Sequence, residues 1–208
     1  MAQQQQKTTA VKSVMNGYTG KTAENTFKFS VRQMLSSEVN TALPVVVTAV
    51  MPGNSSVGYV KARPLVSHTD ADNNIIGMPE IPKLPYFRIQ GGTVAVITDP
   101  VVGDKGLAIF SQSDCDNVNA DTQDVVPPGS FRKFSLSDGF YVGGFLNKVP
   151  KTYIQLNQDG TTIINSTGGV TINGTVTVNG DVVADGISLK SHVHGGVMSG
   201  GSTTGGPR

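Results

Sequence analysis

The sequence has little of what disulfide-bonded, membrane-spanning or strongly charged proteins need. It has one cysteine, Cys115, and no tryptophan among 208 residues, so an internal disulfide and a cysteine-based zinc site within one chain are excluded. Charged residues make up 15% of the chain and the formal net charge is +1, which gives no field favouring nucleic acid or anionic lipid. Neither a signal peptide nor an apolar run of ~18 residues is found. We expect a protein made soluble in a cytoplasm.

Glycine and β-forming residues are frequent in this chain, whereas charged residues are few. Glycine accounts for 25 of the 208 residues, well above the usual share of ~7%. Valine, threonine and asparagine are also frequent, a composition typical of β structure with many tight turns. Apolar residues reach 38%, which indicates a globular chain and not a disordered one.

Residues 1–43 are predicted to form a flexible arm followed by an amphipathic helix. Phe27, Val31 and Leu35 recur at helical spacing, Thr22 suits the N-cap, and Pro44 ends the helix before it. The helix should have about five turns. Its apolar stripe either packs on its own domain, the interpretation we favour, or docks on another protein.

Residues 44–147 alternate between short strands and turns. The best strand candidates are 93–97 and 106–110, while Pro82 and Pro85 exclude the segment 81–87 from a central strand. A strand at 141–146 is expected to close the sheet. Five or six short strands in about 100 residues favour a small closed barrel, most commonly of the five-stranded OB type.

Residues 148–190 contain a repeat of six residues. Glycines 168, 174, 180 and 186 are evenly spaced, each repeat has apolar residues two and four places after its glycine, and Asn or Asp precedes the next glycine. This spacing predicts short strands joined by sharp turns. The hexads make little more than one solenoid turn in one chain, whereas about three stacked turns are needed for stability.

Three chains wound together would cover the apolar side chains that the short repeat of one chain leaves exposed. The sequence therefore predicts a homotrimer with an intertwined β-helix or β-prism as its shaft, which also removes exposed strand edges. The predicted shaft core consists of Val170, Ile172, Val176, Val178 and Val182 from each chain.

Residues 191–208 contain the sequence His192-Val193-His194 and a tail of Gly, Ser and Thr. Side chains two apart on a strand face the same way, and two nitrogens are too few for a closed metal site. Three chains would supply six, which predicts one ion in octahedral coordination with a structural role. Imidazole suits Fe, Ni and Cu, while Zn prefers four ligands in structural sites. A straight strand count puts Lys190 on the face of His192, so we expect a register shift, such as a bulge, near Gly186.

Several of these segments together resemble a known family. The helix leading into Leu43-Pro44-Val45, the block Gly103-Asp104-Lys105-Gly106-Leu107, the stretch 134–139 and the terminal 191–197 are similar to the baseplate central-spike proteins of contractile-tailed bacteriophages. The resemblance implies an OB-fold collar that attaches to the tail hub, a β-helical shaft, and an apex that holds one iron ion per trimer through His192 and His194.

The function implied by this resemblance is structural. We expect a trimeric virion protein that pierces the host outer membrane at its apex, is assembled in the host cytoplasm, and is not an enzyme. A hexapeptide-repeat acyltransferase is one alternative, but the repeat is too short for a cleft between coils. An OB-fold binding module is the other, although a net charge of +1 and 6% aromatic residues are poor for single-stranded nucleic acid.

Overall fold

The fold is mainly β with one N-terminal helix among the described residues. A computed structural model describes residues 22–53, 58–69, 74–196 and 200–201; most of the predicted arm lies outside them. The chain divides into two compact units, Met1–Lys148 and Val149–Arg208. Within the described ranges, no helix has the length and hydrophobicity to cross a bilayer.

Helix α1 spans Ala23–Glu38 and begins where the sequence predicted. The Thr22 hydroxyl accepts a hydrogen bond from the Asn25 amide at 3.2 Å, which satisfies one of the free donors of the first turn. The Val39 amide donates to the Leu35 carbonyl, and the chain then turns into an extended conformation. The helix has 16 residues, slightly fewer than the predicted five turns, and ends before Pro44.

The apolar stripe of α1 is not buried by its own chain. Phe27 is 69% exposed, Leu35 is 55% exposed and Val31 is 37% exposed. The favoured interpretation, in which this stripe packs on its own domain, is therefore wrong for the single chain. Helical periodicity identifies an amphipathic element but does not identify its partner.

Nine strands follow among the described residues of the first unit. They are β1 (Ala42–Met51), β2 (Tyr59–Pro64), β3 (His68–Thr69), β4 (Ile75–Ile76), β5 (Ile81–Pro85), β6 (Ile89–Gly91), β7 (Val94–Val96), β8 (Lys105–Phe110) and β9 (Gly139–Gly143). Five of them form one antiparallel sheet in the order β5-β2-β1-β8-β9. Strand β5, which carries the two prolines, lies at an edge, as the sequence predicted.

The two edges of this sheet approach each other. Tyr86, directly after β5, forms an isolated parallel bridge with Tyr141 of β9. The Phe87 amide donates a hydrogen bond of 2.7 Å to the Tyr141 carbonyl. The sheet is therefore curled, and its inner face encloses a core.

The core lies on the inner face of the curled sheet. Alternate residues of β1 and β2 point inward, as expected for the two-residue period of a strand. The buried apolar residues are Val45, Val47, Val60, Ala62, Ile81, Leu84, Tyr86, Ala108, Phe110 and Tyr141.

The predicted strand 93–97 forms, but not in this sheet. Strand β7 pairs with β6 as a separate hairpin, and Val94 and Val96 are 74% and 55% exposed. Its apolar alternation predicted the strand correctly, while the pairing depended on a turn at 91–93 that the sequence analysis did not use.

The second unit contains two hairpins. Strands β10 (Tyr153–Leu156) and β11 (Thr162–Asn165) form the first, and β12 (Val183–Ala184) and β13 (Ile187–Ser188) form the second. Asp185 and Gly186 both have positive φ, 48° and 80°, which suits a two-residue hairpin turn. The chain therefore reverses at Gly186, and this reversal, not a bulge, explains why a straight strand count fails there.

Candidate functional site

The two histidines of the terminal segment lie side by side. The ring centroids of His192 and His194 are 5.0 Å apart, with an interplanar angle of 77°. The segment that carries them follows β13 and is not itself a strand. Both rings are exposed, so they are accessible to groups from outside the chain.

The position of His192 is fixed by local hydrogen bonds. Its backbone amide donates to the Ser188 carbonyl at 3.1 Å, and its Nδ1 lies 3.1 Å from the carbonyl oxygens of both Ser188 and Leu189. A carbonyl oxygen only accepts hydrogen bonds, so both contacts need a proton on Nδ1, and in the neutral ring this leaves Nε2 as the nitrogen that could bind a metal. Metal-binding histidines in proteins are commonly oriented in this way.

Residues before the histidines hold this turn in place. The Ser191 amide donates to the Ser188 hydroxyl at 3.0 Å. The Asp181 carboxylate accepts a hydrogen bond from the Lys190 amide, also at 3.0 Å. A hydrogen bond from the Ser188 side chain lowers the pKa of Asp181. The β12–β13 hairpin and the histidine turn are thus connected by polar contacts.

The residues present fit a metal ion only in part within one chain. His192 has an available Nε2, and a second imidazole lies beside it, which suits a transition metal. One chain supplies two nitrogens, and a closed site needs more. One chain therefore supplies at most half of the nitrogen ligands that a closed metal site would need.

The predicted shaft residues are exposed in the single chain. Their exposed fractions range from 43% for Val182 to 63% for Ile172. Residues 166–182 form no strand within one chain. The prediction that these side chains meet those of other chains stays a prediction.

The sequence analysis missed a polar network in the first unit. The Arg132 guanidinium lies 2.9 Å from Asp114, 2.8 Å from Asp116 and 3.2 Å from Asp138. Asp114 and Asp138 are buried, with 5% and 1% exposed. These carboxylates are up to 24 positions apart in the sequence, and no motif signals that they meet.

This acidic group is an ion-pair network. The carboxylate oxygens of Asp114, Asp116 and Asp138 lie within 4.8 Å of one another, a spacing that could hold a cation, but Arg132 supplies a cation of its own. The pKa of Arg132 is raised, first by its hydrogen bond to Asp138. The pKa of Asp114 is lowered, first by the hydrogen bond from Ser130. The network ties the long loop after β8 to the sheet.

Comparison with known proteins identifies the terminal segment. Residues 186–208 match the family model described as the GpV Apex motif, and this match confirms the resemblance to baseplate central spikes there. A comparison of the chain with curated proteins gives no match. The class of protein that the motif indicates is a structural component of a phage tail.

The matched family is structural and not enzymatic, and its apex motif binds a metal ion. The match begins at Gly186, in the turn between β12 and β13, and includes both histidines. It does not favour either alternative function. The histidine pair therefore lies inside the matched segment, and its role as a metal ligand stays a prediction.

Proposed function

We propose that this chain is one third of a trimeric central spike in the baseplate of a contractile phage tail. The observation that carries the proposal is the apex motif at residues 186–208, with His192 beside His194. The chain would reside in the virion after assembly in the host cytoplasm. Its task would be mechanical: to pierce the host outer membrane during infection.

Exposed apolar side chains support a homotrimer. Val170, Ile172, Val176, Val178 and Val182 are all at least 43% exposed in one chain. Full burial of one such side chain stabilises an assembly by about 1.5–3 kcal/mol. Three chains wound into a β-helix would bury fifteen of them around one axis, which makes the shaft stable only as a trimer.

The histidine geometry supports a shared metal ion. Nδ1 of His192 is directed at backbone carbonyls, so Nε2 is available as a ligand. His192 and His194 from three chains would supply six imidazole nitrogens for one iron ion. The bound ion supplies a structural tie, with no open position for substrate. The protein residues orient the rings and keep the three chain ends together.

The first unit supports a collar of the OB type. The sheet order β5-β2-β1-β8-β9, with a parallel bridge between the strand ends at Tyr86 and Tyr141, agrees with a five-stranded closed barrel. In the spike this barrel would attach the needle to the tail hub. The exposed stripe of α1 supplies further apolar surface for such attachment, and a net charge of +1 gives no preference for nucleic acid.

The metal content of the purified chain tests the proposal. Elemental analysis should find about one metal ion, iron, per three chains. The double variant His192→Ala, His194→Ala should lose this metal. The control variant His68→Ala, which changes the histidine outside the terminal segment, should keep it. One ion per chain, or metal that persists in the double variant, would contradict the proposed apex.

A further inference from the structure

A half-open cavity with a mixed polar and apolar lining lies where the two edges of the curled sheet meet. Its volume is about 380 Å³, and its lining includes Tyr86, Arg88, Asp99, Asp104 and Tyr141. Cavities that bind small molecules have volumes of roughly 300–1,000 Å³. All of its lining residues belong to the first unit.

Three buried polar atoms at this cavity have no hydrogen-bond partner among the described residues. They are the hydroxyl oxygens of Tyr86 and Tyr141 and Nε of Arg88. The two tyrosines are only 3% and 1% exposed. Buried polar groups are nearly always paired, so three unpaired ones at one cavity indicate a ligand with matching groups.

The Tyr141 hydroxyl is held in a fixed position. Gly106 and Gly143 face each other across β8 and β9, and the Tyr141 ring lies against both. A Cβ at Gly106 would come within 2.6 Å of the ring and 2.4 Å of the Val142 carbonyl. Glycine at position 106 therefore allows the ring to lie on the sheet.

The charges of the wall favour a neutral ligand. Arg88 is paired with Asp99 at 2.5 Å, and the arginine side chain is 10% exposed, so its positive charge is compensated. Burial, and next the charge of Asp104, raise the pKa of Tyr141 to about 12, which keeps the phenol neutral and able to donate. The other carboxylate, Asp104, accepts a hydrogen bond from the Val101 amide at 2.9 Å, so each charged group of the wall already has a partner and a neutral ligand fits best.

We propose that this cavity binds a neutral polyhydroxylated molecule, such as one sugar unit. A sugar hydroxyl both donates and accepts, so it can pair with the Tyr86 and Tyr141 hydroxyls and accept from Nε of Arg88. Phe87 also lines the cavity and is 62% exposed, which provides an apolar surface for the C–H face of a sugar ring. The collar would then be a saccharide-binding module as well as an attachment site.

Ligand-observed NMR on the full-length protein tests this inference. The probes are glucose, galactose and N-acetylglucosamine, with inorganic phosphate and ammonium as charged controls. At least one sugar should bind, and neither ion should compete with it. Tyr86→Phe and Tyr141→Phe should each weaken sugar binding by about three- to tenfold, the range for one neutral hydrogen bond.

Tyr59→Phe is the matched control, because Tyr59 lines a different cavity of the same sheet. It should bind the sugar as the unchanged protein does. Thermal unfolding of all three variants should show that each is folded, since removing an unpaired buried hydroxyl does not destabilise the core. The inference is wrong if no sugar binds the folded protein, if phosphate displaces it, or if Tyr59→Phe weakens binding as much as Tyr141→Phe.

Discussion

The two units of the chain differ in where their apolar side chains lie. In the first unit ten of the described apolar residues are buried on the inner face of a curled sheet. In the second unit no described residue is buried, although its valines and isoleucines follow a regular repeat. The first unit has a hydrophobic core of its own. The second unit has regularly spaced apolar side chains, but no other part of the same chain covers them.

This difference leads to opposite expectations for substitutions. An apolar side chain in the first unit should matter for the folding of one chain. An apolar side chain in the hexads should matter only when chains associate.

Val176→Asp should abolish association. The Val176 side chain is 58% exposed in one chain, so the substitution should be tolerated by a monomer. In a trimer it would bury three carboxylates at one level of the shaft, with a desolvation cost of several kcal/mol for each. Sedimentation velocity should show monomers.

The matched control for this substitution is Thr177→Asp. Thr177 is the next residue along the chain and has the opposite parity in an extended strand, so its side chain should face solvent in the shaft. It should leave the trimer intact. Equal behaviour of the two variants would contradict the assignment of Val176 to the shaft core.

Leu84→Ala should destabilise the first unit alone. Leu84 is fully buried, and removal of such a side chain costs about 2–5 kcal/mol. Chemical denaturation should show the loss in the unfolding transition of the first unit, with association unchanged. Leu146→Ala, at a position that is 83% exposed, should change stability by less than about 0.5 kcal/mol; a similar loss in both variants would contradict the proposed core.

Asp114→Asn should reduce the acid sensitivity of the first unit. The folded-state pKa of Asp114 is lowered, so its stabilising contribution is complete above the ordinary carboxyl pKa of about 3.9. The contribution is lost as pH falls through the lowered folded-state pKa. Unfolding curves from pH 5 to pH 2 should be flatter for the variant, and parallel curves would refute the role of the network.

Thr22→Ala should have the smallest effect. Loss of the hydroxyl that accepts from the Asn25 amide should cost about 1 kcal/mol of helix stability. Far-UV circular dichroism should show a small loss of helical signal. Thr22→Ser retains the hydroxyl and should restore the signal; if it does not, the cap is not what stabilises α1.

Much of the first unit could be predicted from local patterns. Thr22 marked the start of the helix, and the prolines of β5 indicated an edge strand, because these effects depend on neighbouring residues. The end of the helix at Glu38 lies six residues before Pro44, which is inside β1. Two features could not be predicted, since periodicity does not specify contacts. One is the surface that the apolar stripe of α1 packs against, and the other is the pairing of β6 with β7. The Arg132 network was missed because its members are distant in sequence.

The candidate site was predicted in a different way. The spacing of His192 and His194 predicted two metal ligands, which stays a prediction, and the family match covers the segment that contains them. The reversal at Asp185 and Gly186 was missed, although Asp-Gly is a strong hairpin signal, because the hexad pattern was continued through it. The tyrosines at the cavity carried no signal, since the two residues come together only in the folded sheet.

The most direct test of the central claim is the mass of the full-length chain in solution. Sedimentation equilibrium at micromolar concentration should give three times the mass of one chain, and a chain shortened to Met1–Lys148 should give the mass of a monomer. A full-length protein that is monomeric at that concentration would contradict the claim that the repeat acquires its core only when three copies meet.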